Sequence, residues 1–372
     1  MNQQPKTLQE IPSPSLLFFV EEIEHNLDTC LKWVQNKPER LRLHVKTHKC
    51  PEIIKMQLAK GLNKHKAATI AECEMLAKCG VKDVFLAYPV LGPNIPRFVD
   101  LCNKHPETSF SISIDSEESL QAISQSLGQI HQATIDAYLD LDLGMHRTGF
   151  PLSGKVDELY AKIAETPKLR PVGFQAYDGH NHNPDFEERK KEFNRYWPEV
   201  LKWKAKLEKD GFPTVRIVAG GTPSFLLYSQ LNMDDLECSP GTITLYDLNY
   251  MSKFKELAPF RFGAGLLTRV ISKPGSRRIT TDLGYKAVSG DQPAPERYFF
   301  KHHRDFKFLG HSEEHLMLEH ANPENFKLGE PLLAIPGHVC PTVSLHKFAY
   351  AISQGQIKGT WEIIARDRDI GC

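Results

Sequence analysis

The sequence predicts an α/β fold, a (β/α)8 barrel followed by an antiparallel β domain, and three observations carry that prediction. Short β-branched or aromatic runs alternate with segments of helical period through most of the first 250 residues, the pattern of parallel strands joined by crossover helices. The runs number eight, the count that closes such a barrel. Beyond Tyr250 the texture changes to short strands punctuated by Gly and Pro, as in hairpins.

In chain order the expected barrel strands are residues 41–46, 67–70, 83–87, 109–114, 134–142, 171–177, 215–219 and 242–246. Between them PEIIKMQLAK (51–60) and AECEMLAK (71–78) repeat apolar residues at i, i+3 and i+4, which marks crossover helices. The hairpin-like segments are GLLTRVISKPGSRRITTDLGYKAVSG, YFFKHHRDFKFLGHSEEHLMLEH and GEPLLAIPGHVCPTVSL. The barrel is therefore assigned to residues 11–250 and the β domain to 251–372, with residues 1–14 able to join the latter.

Lys plus Arg and Asp plus Glu both total 46, so no net field gathers nucleic acid or anionic lipid, and neither is expected as a partner. The N-terminal residues lack the apolar run of a signal peptide, and no stretch approaches the roughly 18 apolar residues of a membrane span. A cytoplasmic protein is expected. Eight cysteines are scattered without a CxxC pair, which argues against a disulfide framework.

Barrel chemistry sits at the carboxyl ends of the strands. The first strand ends in HVKTHK, which brings Lys46 to the rim. A desolvated lysine there can form a Schiff base with a cofactor aldehyde, although a strand-end lysine is as readily a solvated surface residue. The seventh strand runs into Gly220-Gly221-Thr222, and Ser239-Pro240-Gly241-Thr242 flanks the eighth. Two glycine turns at the ends of strands 7 and 8 suit a phosphate. With a rim lysine they point to pyridoxal phosphate. Arg147, after the fifth strand, offers a cation for the phenolate oxygen of that cofactor, or else a structural ion pair. After the sixth strand Tyr177 offers a ring to pack on the pyridine, and His180 and His182 are candidate bases.

The strings RLRLHVKTHK, DLGMHRTG, AYDGHNHN, AGGTPSF, CSPGT, TDLGYKAV, SEEH and PGHVCPT together resemble the D-threonine aldolase and D-serine dehydratase-like proteins. These are alanine racemase-like, fold-type III pyridoxal phosphate enzymes, and the resemblance runs from Ile11 to Asp369. It implies a Schiff base at Lys46, a homodimer, a D-amino acid substrate, and Arg147, Tyr177, Gly220, Gly221, Thr222, Gly241 and Thr242 near the cofactor. Ser239 stands where true racemases carry an arginine beside the pyridine nitrogen, which disfavours simple racemisation.

The resemblance also gives His338 and Cys340 a divalent metal. Their i, i+2 spacing places them on one face of an extended segment, and a His/Cys pair suits zinc better than manganese. The expected activity is retro-aldol cleavage of a D-3-hydroxy amino acid to glycine and an aldehyde. The alternatives are a D-serine dehydratase-like ammonia-lyase, an amino acid racemase and a non-catalytic binder of the cofactor.

Overall fold

The computed structural model describes residues 6–213 and 215–371. Cys372 and residues 1–5 of the N-terminal segment lie outside them. The other seven cysteines are unbridged. The chain forms two compact units. One comprises Cys30–Lys46, Pro51–Gly241 and the tail from Asp367, and the other holds the residues up to Thr29, Thr47–Cys50 and Thr242–Arg366.

The first unit is an eight-stranded parallel barrel. Its strands, numbered here first to eighth, are Leu43–His44, Lys64–Ala67, Asp83–Leu86, Ser109–Ile114, Ile135–Asp142, Leu169–Ala176, Arg216–Ala219 and Leu236–Cys238. Each pairs in parallel with the next. Closure comes from a parallel bridge between Leu41 and Cys238, with the Arg42 N–H donating to the Cys238 carbonyl at 2.9 Å.

Three strands differ from the sequence expectation. The first stops at His44, and Lys46 lies in a short 3-10 turn, Val45–Thr47, rather than on the strand. The second is Lys64–Ala67, because Thr69 already caps the helix Ile70–Lys78 by accepting the Glu72 N–H at 3.1 Å. The eighth is Leu236–Cys238. Residues 242–246 instead make the 3-10 turn Thr242–Thr244, with Tyr246 at a φ of 53°.

The barrel interior is layered. At the amino ends of the strands Arg42 is fully buried and donates to Glu237 at 2.5 Å and to Asp83 at 2.6 and 3.0 Å, while Lys64 reaches Glu237 at 2.6 Å. Two cations and two carboxylates close this floor, which suits a stabilising face. Phe85, Tyr138, Val172 and Val218 form the next, apolar layer, the two rings 4.5 Å apart.

The second unit is built on a mixed sheet rather than a purely antiparallel one. Ala264–Ser272 pairs antiparallel with Ser15–Phe19 and with Pro331–Pro336, but Ser15–Phe19 runs parallel to Phe348–Ser353. A parallel pair needs a long crossover, and here more than three hundred residues of chain separate the two strands. Leu8, Ile11, Leu17, Leu267 and Ile352 make one core cluster of this unit.

Candidate active site

The barrel strands end around Tyr177. A side chain on Gly221 would lie 3.0 Å from the Tyr177 ring, so glycine there lets the ring settle on the turn. Three cations surround the ring: Lys46 Nζ at 6.0 Å from its centre, Lys66 Nζ at 5.6 Å and the Arg147 guanidinium at 5.2 Å. Lys46 is half-buried and Arg147 exposed. Arg147 lies in a loop folded on Asp142, which accepts the N–H groups of Gly144 at 2.9 Å and His146 at 3.0 Å. Thr148 beside it donates to Asp140 at 3.0 Å, and Gln175 donates to the other Asp140 oxygen at 2.8 Å. A small cavity opens among Asp140, Arg147, Gln175 and Tyr177. A larger cleft, about 430 Å³, lies beside Tyr88, Arg97 and Arg368 and is lined by none of the predicted site residues.

Gly220 adopts a φ of +77°, and the turn after it is held from behind. Buried Asp178 accepts the Ser224 hydroxyl at 2.8 Å and the Tyr196 hydroxyl at 2.7 Å, and Ser224 Oγ accepts the Gly221 N–H at 3.2 Å. Burial pushes the Asp178 carboxyl above its ordinary range, although these two hydroxyls pull it back. The Gly221 N–H is thus engaged within the protein. Thr222, 4% exposed, has a hydroxyl with no hydrogen-bond partner among the described residues. Ser239 spends its hydroxyl on the Arg42 carbonyl at 2.8 Å. Gly241 and Thr242 are buried.

His180 and His182 part company. Both ring nitrogens of His180 are buried with no hydrogen bond, Nε2 standing 3.7 Å from Glu192 Oε1. An unsatisfied buried imidazole is costly unless a ligand completes it. His182 is exposed, and its backbone N–H donates to the His180 carbonyl at 3.0 Å.

In the second unit His338 and Cys340 meet, but not across a strand. His338 is the N-cap of the helix Val339–Leu345, and Cys340 lies in its first turn. Asp291 Oδ2 holds His338 Nδ1 at 2.5 Å, while the hydroxyls of Thr47 and Thr242 approach Cys340 Sγ at 3.1 and 3.4 Å. Burial works against charge on His338, but Cys340 and Asp291 carry it up to about 9. The Cys340 thiol is lowered against its own burial by His338 and the two threonines. A cysteine sulfur and a histidine ring in contact, with a carboxylate on the other ring nitrogen, are the donor types and orienting group of a zinc-type site. Among the described residues no cluster of three or more His, Cys, Asp or Glu side chains is arranged to hold a metal. A metal here would take its remaining ligands from water or substrate.

Sequence reading missed Lys66, Asp178 and Ser224. Lys66 was within reach, since it shares a strand face with Lys64. The Asp178–Ser224 contact spans 46 residues of sequence and left no local signal.

Residues 20–247 match the family described as Alanine racemase, N-terminal domain, and 264–352 match the Putative serine dehydratase domain. Among curated proteins, 3-hydroxy-D-aspartate aldolase of Paracoccus denitrificans is 26% identical over 96% of this chain and 93% of its own length. The crystal structure of D-threonine aldolase from Filomicrobium marinum superposes with a TM-score of 0.86 at 24% identity, covering 96% of this chain and 97% of the other. A cysteine-to-alanine mutant of D-threo-3-hydroxyaspartate dehydratase, in the metal-free form, gives a TM-score of 0.81 at 21% identity over 96% and 98%. The two structural likenesses show the fold. No helix among the described residues is long and apolar enough to cross a membrane.

Proposed function

The chain belongs to the alanine racemase-like, fold-type III family of pyridoxal phosphate enzymes, and from that premise we propose that it is a lyase that cleaves D-3-hydroxy amino acids to glycine and an aldehyde. The observation that carries this reading is the rim of the barrel: an amine, Lys46, and a guanidinium, Arg147, on one tyrosine ring, with the unpartnered imidazole of His180. Near full-length similarity to an aldolase of a D-3-hydroxy amino acid supports it, and counts against a bare cofactor carrier.

In this reading Lys46 holds the cofactor, Tyr177 packs on its ring and Arg147 pairs with its phenolate oxygen. Thr222 and the backbone of Gly220, Gly241 and Thr242 hold the phosphate, while Gly221, whose N–H is taken by Ser224, shapes the turn against Tyr177. Ser239, in place of an arginine, leaves the pyridine nitrogen without a cationic neighbour. When bound, pyridoxal phosphate supplies a sink for the electron pair left as a bond to the α-carbon breaks. His180 accepts the proton of the substrate 3-hydroxyl, which its two free nitrogens equip it to do. His182, exposed beside it, is the second candidate base.

His338 and Cys340 hold a divalent metal, zinc by donor type, and the chemistry it supplies when bound is Lewis acidity toward that hydroxyl. Asp291 sets Nε2 of His338 as the ligand atom. The reading extends to a homodimer acting in the cytoplasm. A second outcome, dehydration to a 2-oxo acid and ammonia, draws on the same residues, with Lys46 taking the α-proton. The His/Cys donor set and the similarity to a D-threo-3-hydroxyaspartate dehydratase favour it as the runner-up; racemisation ranks below both.

Incubation with D-threonine, D-serine and 3-hydroxy-D-aspartate, followed by product identification, separates the outcomes. Glycine with an aldehyde or 2-oxo acid fragment supports the aldolase. Ammonia with a 2-oxo acid that keeps the carbon skeleton supports the dehydratase, and L-amino acid alone would overturn both.

A further inference from the structure

Lys66 is a buried lysine for which the proposed reaction has no task. Its strand turns alternate side chains into the barrel, so Lys64 joins the ionic floor and Lys66 lies on the same face, nearer the mouth. There it is 4% exposed, its Nζ 5.8 Å from the centre of the Phe85 ring and 5.6 Å from that of Tyr177. A lysine buried to this degree is held as an ammonium by opposite charge. The charged groups that bear on it are Asp140 on one side and Lys46, Arg42 and Arg147 on the other. Arg42 is already matched by Glu237 and Asp83, and the Asp140 oxygens already accept from Gln175 and Thr148. The mouth therefore gathers Lys46, Lys66 and Arg147 around Asp140, with Asp142 lining the same small cavity as Arg147. A mouth this rich in cations, with Lys66 buried among them, is relieved when an anion completes the site.

We propose that Lys66 is a cofactor-binding residue, an amine that takes a proton from solvent as the anionic cofactor enters and then holds the cofactor's anionic edge from inside the barrel. The inference rests on the cofactor reading above but adds a residue and a proton that reading does not require. Burial pushes Lys66 down to about 7, so it is about half charged at neutral pH, and a bound anion favours the charged form.

The probe is pyridoxine 5′-phosphate, whose alcohol cannot condense with Lys46. It is titrated calorimetrically into full-length, cofactor-stripped protein, parent and Lys66→Met, in buffers of different ionisation enthalpy. At pH 7 the parent takes up about half a proton more than K66M; the difference approaches about one proton near pH 8 and vanishes near pH 6. K66M also binds the probe about tenfold or more weakly, as loss of a charge-assisted hydrogen bond requires. Should K66M fail to fold, the parent tests the idea alone: NMR of its 13C-methylated lysines shows one buried resonance titrating near neutrality, whose midpoint moves alkaline when the probe binds. Equal proton uptake by the two proteins, or a resonance indifferent to the probe, overturns the role of Lys66 while leaving the cofactor reading intact. No binding of the probe by the parent overturns both.

Discussion

Replacing Thr222 by valine isolates the contribution of one hydroxyl to cofactor binding. The two side chains have nearly the same shape, and the Thr222 hydroxyl has no partner among the described residues, so the change costs the protein no internal hydrogen bond. A hydrogen bond to a charged group contributes about 1.5 to 3 kcal/mol, equivalent to about a 10- to 150-fold weaker dissociation constant. Stability of the cofactor-free protein should change by less than about 0.5 kcal/mol, the range of substitutions that break no contact. Fluorescence titration of stripped protein with pyridoxal phosphate gives the first number and urea unfolding the second. An affinity within twofold of the parent would move the phosphate away from the Gly220–Thr222 turn, and a large loss of stability would make Thr222 structural.

Two further outcomes follow from the same structure. A chelator should abolish turnover without lowering the unfolding midpoint, zinc or manganese should restore it, and Cys340→Asp should shift the preference toward manganese because carboxylate is the harder donor; metal analysis and activity on one sample check all three, and loss of fold on chelation would make the metal structural. His65, fully buried against Gln57 at 2.9 Å, is pushed down to about 3 by burial and by Arg42. Its folded value lies below its unfolded one, so its contribution is complete above about pH 6.5 and is lost as pH falls toward about 3, at a slope near 1.4 kcal/mol per pH unit. His65→Gln should flatten that decline in urea unfolding between pH 6 and 4, and an unchanged slope would contradict the assignment.

Much of the barrel is legible because most of its strands are apolar runs between helical segments. Two of the misplaced strands, the second and the eighth, share a physical cause. The second, Lys-His-Lys-Ala, reads as polar, yet Lys64 is paired to Glu237, His65 to Gln57, and Lys66 sits among charges inside the barrel. The eighth carries Glu237, which breaks the apolar pattern and is buried only because Arg42 and Lys64 neutralise it. Thr242-Ile243-Thr244, by contrast, has the composition of a strand but forms a 3-10 turn. Tertiary charge pairing thus made strands of two segments whose local pattern reads as polar. Of the candidate site, the structure brings the predicted lysine and the glycine turn to one tyrosine ring. The Asp178–Ser224 support and the separation of His180 from His182 depend on burial, which spacing does not report. His338 and Cys340 meet because a helix begins between them, not through the strand alternation that their spacing suggested.

The most direct test of the central claim is chemical capture of the cofactor on the protein. Borohydride reduction of the purified, cofactor-loaded chain followed by peptide mass mapping should place the pyridoxyl mass on the peptide containing Lys46, with loss of the visible absorbance on reduction. A label on Lys66 or any other lysine, or no covalent attachment at all, would contradict the account.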